Sequence, residues 1–211
     1  MQNKIIKVIS LLKKNYPSTF FSRQKPYNVL ISTILSQRTK DGNTIKASKK
    51  LFSKFPTARK IANANLTEIK NLIKESGFYN IKAKRIRDVS NILLNKYNGR
   101  VPHELDKLLL LPGVGRKTAN CVLVYGFNIP AIPADTHVHR ISNRLGIVKT
   151  KTPEQTEHYL MRQIPKKYWI NINELFVRHG QTICNPIRPK CDKCIINKLC
   201  DFKKYQKIFK R

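Results

Sequence analysis

A chain of 211 residues, 41% hydrophobic and 26% charged, has the apolar material for a buried core, as one large domain or two small ones. Forty-two Lys and Arg stand against twelve Asp and Glu, a net charge of +30 that repels itself unless a polyanion is near, so nucleic acid is the expected partner. No apolar run approaches the roughly 20 residues of a membrane span, and the start lacks the apolar stretch and cleavage site of a secretory signal. An intracellular protein in a reducing compartment is expected. Five cysteines there suggest metal rather than disulfides.

Helix signals dominate from the first residues on. "MQNKIIKVISLLKKNYPS" places Ile5, Ile6, Ile9 and Leu12 at helical spacing, toward a core. "PYNVLISTIL" puts Tyr27, Leu30, Ile31, Ile34 and Leu35 on one face. "LTEIKNLIKESG" starts at a Thr67 cap and stops at Gly77. "IRDVSNILLNKYNG" carries Ile86, Val89, Leu93 and Tyr97 before Asn98-Gly99. "DTHVHRISNRLG" offers Asp135 as cap and Gly146 as stop. "TPEQTEHYLMRQI" has Thr152 as cap, Pro153 at the first position and Gln155 closing a capping box. "INELFVRHG" ends at Gly180. No strand pair with hairpin chemistry stands out. The expected fold is all-α, roughly ten short helices with short connections.

Three features carry chemistry. In "LPGVGRKTAN" the glycines at 113 and 115 permit positive φ and close backbone approach, and a helix begins near Arg116. Amides at that start point toward an anion, so two short helices and their hairpin make a phosphate clamp blind to base sequence. The segment also fits an ordinary helix–helix turn. It is not a nucleotide P-loop, because Arg116 rather than glycine precedes Lys117. Lys117 itself is unexpected, since the macrodipole disfavours cations in a first turn. It is a solvated charge, or an amine wanted neutral beside a phosphate.

Asp135 is the only carboxylate between Asp106 and Glu154, among Lys107, Arg116, Lys117, Arg140, Arg144, Lys149 and Lys151. Such a field favours its charged form. It also reads as a plain N-cap, and the two roles are compatible. His137 and His139 are two apart and point to different faces, which argues against a metal pair. "CNPIRPKCDKCIINKLC" spaces Cys184, Cys191, Cys194 and Cys200 as C-x6-C-x2-C-x5-C. Four thiolates so close mean zinc or an iron–sulfur cluster, and spacing does not separate the two. Cys121 lies on an apolar helix face and reads as core.

Taken with "GFYNIKAKRI" and "LSQRTKD", these segments resemble the endonuclease III family of DNA glycosylases over nearly the whole chain. The resemblance implies an all-α, two-lobed helix-hairpin-helix fold with a C-terminal four-cysteine cluster loop. One lobe would be a continuous helical domain, residues 19–128, ending in the hairpin. The other would join residues 1–18 to 129–211, with the cluster at 184–200 and the active site in the cleft between lobes. It implies a monomeric bifunctional glycosylase/AP lyase that removes oxidised pyrimidines from damaged duplex DNA and cuts the abasic site by β-elimination. Lys117 would be the nucleophile, made neutral by burial, the helix terminus and Arg116. Asp135 would be the charged partner, and the four cysteines would hold [4Fe–4S]. Gly113, Gly115 and Arg116 would contact DNA, as would a basic knob of Arg188, Lys190 and Lys193. Two positions depart from the family. Arg38 stands where many members place a stack-entering glutamine, although neighbouring Gln37 leaves the alignment open. Phe78 stands where leucine is frequent. Rival classes are a mismatch-specific glycosylase, which usually lacks the lysine, and a non-catalytic DNA-binding module.

Overall fold

The computed structural model describes residues 2–16 and 24–202. Among them are eleven α-helices and no strand: α1 (Gln2–Asn15), α2 (Pro26–Ser36), α3 (Asp41–Lys54), α4 (Ala58–Ala62), α5 (Leu66–Leu72), α6 (Tyr79–Tyr97), α7 (Leu105–Leu109), α8 (Arg116–Cys121), α9 (Thr136–Arg144), α10 (Pro153–Gln163) and α11 (Trp169–Thr182). The chain divides into two compact units, Arg23–Asn128 and Met1–Ser22 with Ile129–Arg211. The junction expected at residues 18–19 lies outside the described residues.

Within Arg23–Asn128, α2 is the central helix. Pro26 occupies its first turn, where a missing N–H costs nothing. Val29, Leu30, Ile31, Ile34 and Leu35 are all buried, as befits a helix packed on more than one side against α3, α6 and α8. Tyr27 is only half-buried, and its hydroxyl meets Ser90 Oγ at 2.7 Å. Helix α6 turns Lys82, Ile86, Val89 and Leu93 inward. It ends through Asn98 (φ 51°) and Gly99 (φ 74°), whose N–H donates to Leu93 O at 2.8 Å. Helix α8 runs on into a π-helical turn, Val122–Gly126. Cys121 is buried beside it, in the core.

In the other unit α1 buries Ile5, Val8, Ile9 and Leu12 and packs on α11. Each such side chain contributes about 1.5–3 kcal/mol relative to exposure. Ile6 is half-buried, because the inward stripe passes through Val8 instead. Helix α9 lies against both α10 and α11.

Four helix ends differ from the sequence reading. Helix α5 ends at Leu72, with turns and a bend rather than helix leading to Gly77. Asn65 caps α5 by accepting from Thr67 N at 2.8 Å, so Thr67 is inside the helix. Gln155 Oε1 accepts from Lys151 N at 2.9 Å, one residue before the cap, while Thr152 Oγ1 accepts from Gln155 N as expected. Gly180 does not stop α11, which continues to Thr182. A Cβ at Gly180 would lie 2.3 Å from His137 Nδ1 and 2.9 Å from Arg140 Nη2. Glycine is there so that α11 can approach α9.

Candidate functional site

The hairpin between α7 and α8 is closed by Val114 N–H donating to Leu111 O at 3.1 Å. Gly113 has φ 76°, in the left-handed region. Gly115 does not share that conformation: its φ is −93° and ψ 178°, which any residue adopts. Its glycine character shows instead as open space, since nothing lies within 4 Å of where a Cβ would be. Exposed backbone here is accessible to another chain. Lys117 is the second residue of α8 and half-buried, between half-buried Arg116 and buried Thr118. On the inner side, Gln37 Nε2 donates to Gly113 O at 2.8 Å, and Arg85 Cδ occupies the place of a Gly113 side chain.

Gln37 is therefore turned onto the hairpin, while its neighbour Arg38 is exposed. Arg38 has φ 50° and Phe78 has φ 59°. Left-handed backbone at a bulky residue costs of order 1–3 kcal/mol, and it persists only where surroundings impose it. The two strained residues meet, with the Arg38 guanidinium 5.8 Å from the Phe78 ring centroid. Phe78 is 58% exposed. Beside these segments lies Lys82, which is 2% exposed. Its Nζ donates to Leu35 O (2.7 Å), Gln37 O (2.5 Å), Thr39 Oγ1 (2.8 Å) and Ser76 Oγ (3.0 Å). Burial, and secondarily the nearby Arg85 charge, push its pKa down to about 8. The four acceptors oppose that shift, and at neutral pH the group is an ammonium.

The second unit carries Asp135 at the N-cap of α9. Its Oδ1 accepts from His137 N and Val138 N, both at 2.9 Å. The carboxylate is thus fixed by its cap role, with Oδ2 at 3.4 Å from Asn173 Nδ2. Asn173 is buried on α11 and donates to Pro133 O at 2.6 Å. The histidines diverge as their spacing requires. His137 Nδ1 meets Arg140 Nη2 at 3.0 Å, and His139 Nδ1 meets Thr156 Oγ1 at 2.7 Å.

Beyond α11, Cys184, Cys191, Cys194 and Cys200 line one cavity with about 390 Å³ of empty space, part of it open to solvent. Two short 3-10 turns, Cys191–Lys193 and Asn197–Leu199, fold the loop around it. Arg144 Nη1 donates to Cys184 Sγ at 3.3 Å, and His179 Nε2 lies 3.5 Å from Cys194 Sγ. Burial, then the charge of Cys200, Cys184 and Cys191, pushes the Cys194 thiol up to about 11. Four thiolates so placed call for a cationic centre among them. Four sulfurs lining one cavity are a donor set of the kind that holds zinc or an iron–sulfur cluster. Arg188 (φ 51°), Lys190 and Lys193 are all exposed on this loop.

The HhH-GPD superfamily base excision DNA repair protein model matches residues 31–166. Over 177 residues the chain is 55% identical to the endonuclease III of Thermotoga maritima, covering 84% of this chain and 83% of that one. Against the endonuclease III of Escherichia coli K12 it is 35% identical over 202 residues, 95% of this chain and 96% of the other. A solved structure of a trapped endonuclease III–DNA covalent intermediate superposes with TM-score 0.90 at 34% identity, over 98% of this chain and 99% of that one. A thermostable thymine-DNA glycosylase matches with TM-score 0.85 at 28% identity, over 96% and 98% of the two chains.

Proposed function

Because the chain belongs to the endonuclease III family of HhH-GPD base excision DNA repair proteins, we infer that it is a bifunctional DNA glycosylase/AP lyase. It removes oxidised pyrimidines from duplex DNA and cleaves the resulting abasic site on the 3′ side. The observation that carries the reading is Lys117, a half-buried lysine in the first turn after a glycine hairpin. A chain resembling a protein trapped as a covalent DNA intermediate needs a nucleophile, and an amine is suited to that step.

In the proposed reaction, neutral Lys117 Nζ attacks the sugar C1′ of a flipped nucleotide. The C1′–N bond to the base breaks, and its electron pair leaves with the base, which takes up a proton. The amine nitrogen, having given up a proton, then expels the ring oxygen O4′ from C1′, O4′ takes up a proton, and the C1′ imine so formed on Lys117 acidifies C2′. Loss of a C2′ proton and departure of the 3′ phosphate then break the strand. Asp135, held by two backbone amides, offsets the positive charge growing on the sugar and assists proton transfer. The hairpin amides at Gly113 and Gly115, with Arg116, hold a neighbouring phosphate. Arg38 and Phe78 fill the hole a flipped base leaves and meet the orphaned partner. Arg188, Lys190 and Lys193 contact the phosphate backbone. The two compact units serve as the two domains. The protein works as a monomer, inside the cell and with its DNA. Among the described residues no helix is long and apolar enough to cross a membrane.

Cys184, Cys191, Cys194 and Cys200 hold a [4Fe–4S] cluster, which fixes the basic loop between the first two. Protein purified without oxygen is expected to be brown and to contain iron and acid-labile sulfide in equal amounts. Stoichiometric zinc without iron would contradict this.

The activity is tested on matched duplexes carrying an oxidised pyrimidine, a G·T mismatch or no damage. Base release with strand scission only at the oxidised pyrimidine is expected. Release of thymine from the mismatch with no scission would favour the mismatch-specific reading, whose fold is the same.

A further inference from the structure

The exposed pair Arg38 and Phe78 sits on two segments distant in sequence, residues 35–39 at the C-terminal end of α2 and residues 76–78 before α6. A buried ammonium joins them. The C-terminus of a helix leaves carbonyls without helical partners. Here Leu35 O and Gln37 O are taken by Lys82, and the same group reaches Thr39 and Ser76 on either side. The joint is reinforced around it. Ser76 Oγ donates to Leu35 O at 2.9 Å, and Gly77 N donates to Thr39 Oγ1 at 3.0 Å. A Cβ at Gly77 would lie 2.8 Å from Arg38 O, so glycine permits the two strands of chain to touch. The adjacent Gln37 carries the connection on to the hairpin at Gly113.

A buried lysine is costly and rarely found without purpose. Nothing in the reaction uses this one directly. What it fixes are the only two non-glycine residues of these segments with left-handed backbone, and both project exposed side chains. We propose that Lys82 is a positioning residue for orphan-base recognition: its ammonium clamps segments 35–39 and 76–78 so that the Arg38 guanidinium and the Phe78 ring meet DNA as one preformed stacked unit. The proposal rests on the reading of the chain as a base-flipping glycosylase. Its physical advantage is preorganisation. A free arginine loses much rotamer freedom on entering a base stack, whereas one already against a ring on rigid backbone loses less. The guanidinium edge then donates to acceptors on the orphan base, and guanine presents these.

The test uses Lys82→Met, which keeps length and removes the donors, and the milder Thr39→Val, which removes one acceptor with little change of shape. Folding is checked by circular dichroism. Single-turnover borohydride trapping is measured on abasic duplexes with each of the four bases opposite, and on a duplex lacking the opposite nucleotide, which has no orphan to hold. Wild type should form adduct on all five and prefer guanine opposite. Lys82→Met should lose about tenfold on the favoured duplex, comparable to one lost stacked base. It should become indifferent to the opposite base and react as wild type on the gapped duplex. Thr39→Val should change in the same direction by less. An equal loss on every substrate, gapped included, overturns the proposal, because Lys82 then only supports the fold. Wild-type preference in folded Lys82→Met also overturns it; should Lys82→Met not fold, unchanged preference in Thr39→Val does the same. No adduct with wild type on any substrate would instead remove the reading of the enzyme itself.

Discussion

Lys117→Gln is expected to abolish the covalent intermediate and lower turnover of an oxidised-pyrimidine duplex by about 10⁴-fold or more, as loss of a covalent nucleophile does elsewhere. The reason is chemical. Glutamine matches much of the lysine volume and keeps polar contacts, but an amide nitrogen is not nucleophilic and forms no imine. Because Lys117 is only half-buried at the start of α8, the substitution should leave folding intact. DNA affinity should fall little, since a neutral amine is exchanged for a neutral amide and the chain keeps its large excess of Lys and Arg. Normal strand scission by Lys117→Gln, checked on the same duplex by gel, would place the nucleophile elsewhere.

Asp135→Asn should lower base release by about 10²–10⁴-fold while the melting temperature changes little. Asparagine and aspartate are equivalent N-caps, and the new side-chain carbonyl can still accept from His137 N and Val138 N. The other oxygen is the sensitive one. The substituted side chain would present an NH₂ there, opposite the Asn173 amide that now faces Oδ2. Two donors then oppose each other, a small local cost, while Asn173 Nδ2 keeps its hydrogen bond to Pro133 O. The thermal melt and the rate of base release, measured on the same preparation, separate the roles. A large fall in melting temperature with normal turnover would leave Asp135 as a cap alone.

What can be read from the sequence is what is local. The hairpin glycines, the Asp135 and Thr152 caps and the four-cysteine spacing each announce themselves within a few residues. Contacts across distant segments are hidden. Gln37 and Arg38 are adjacent polar residues, and only the position of the hairpin shows that Gln37 faces inward and Arg38 outward. Gly180 reads as a stop because the neighbouring helix that requires it is about forty residues away in sequence. Gly115 and Gly113 look alike in the string but differ in backbone, one open and extended, the other left-handed. Lys82 carries a signal that its charge masks. It lies one turn before Ile86, in phase with Val89 and Leu93, so helical periodicity alone puts it on the buried face. Asn173 shares its helix with buried Ile172, Leu175 and Phe176, but nothing in the string ties it to Asp135.

If this chain works through an imine on one particular lysine, the reduced imine can be found and placed. Wild-type protein trapped with borohydride on an oxidised-pyrimidine duplex, then digested with nuclease and trypsin, tests this most directly by mass spectrometry. Trypsin does not cut after a modified lysine, so the adduct is expected on the peptide running from Lys117 to Arg140, with fragment ions placing the sugar on Lys117. Base release without any trapped adduct, or an adduct on a lysine other than Lys117, would contradict the account.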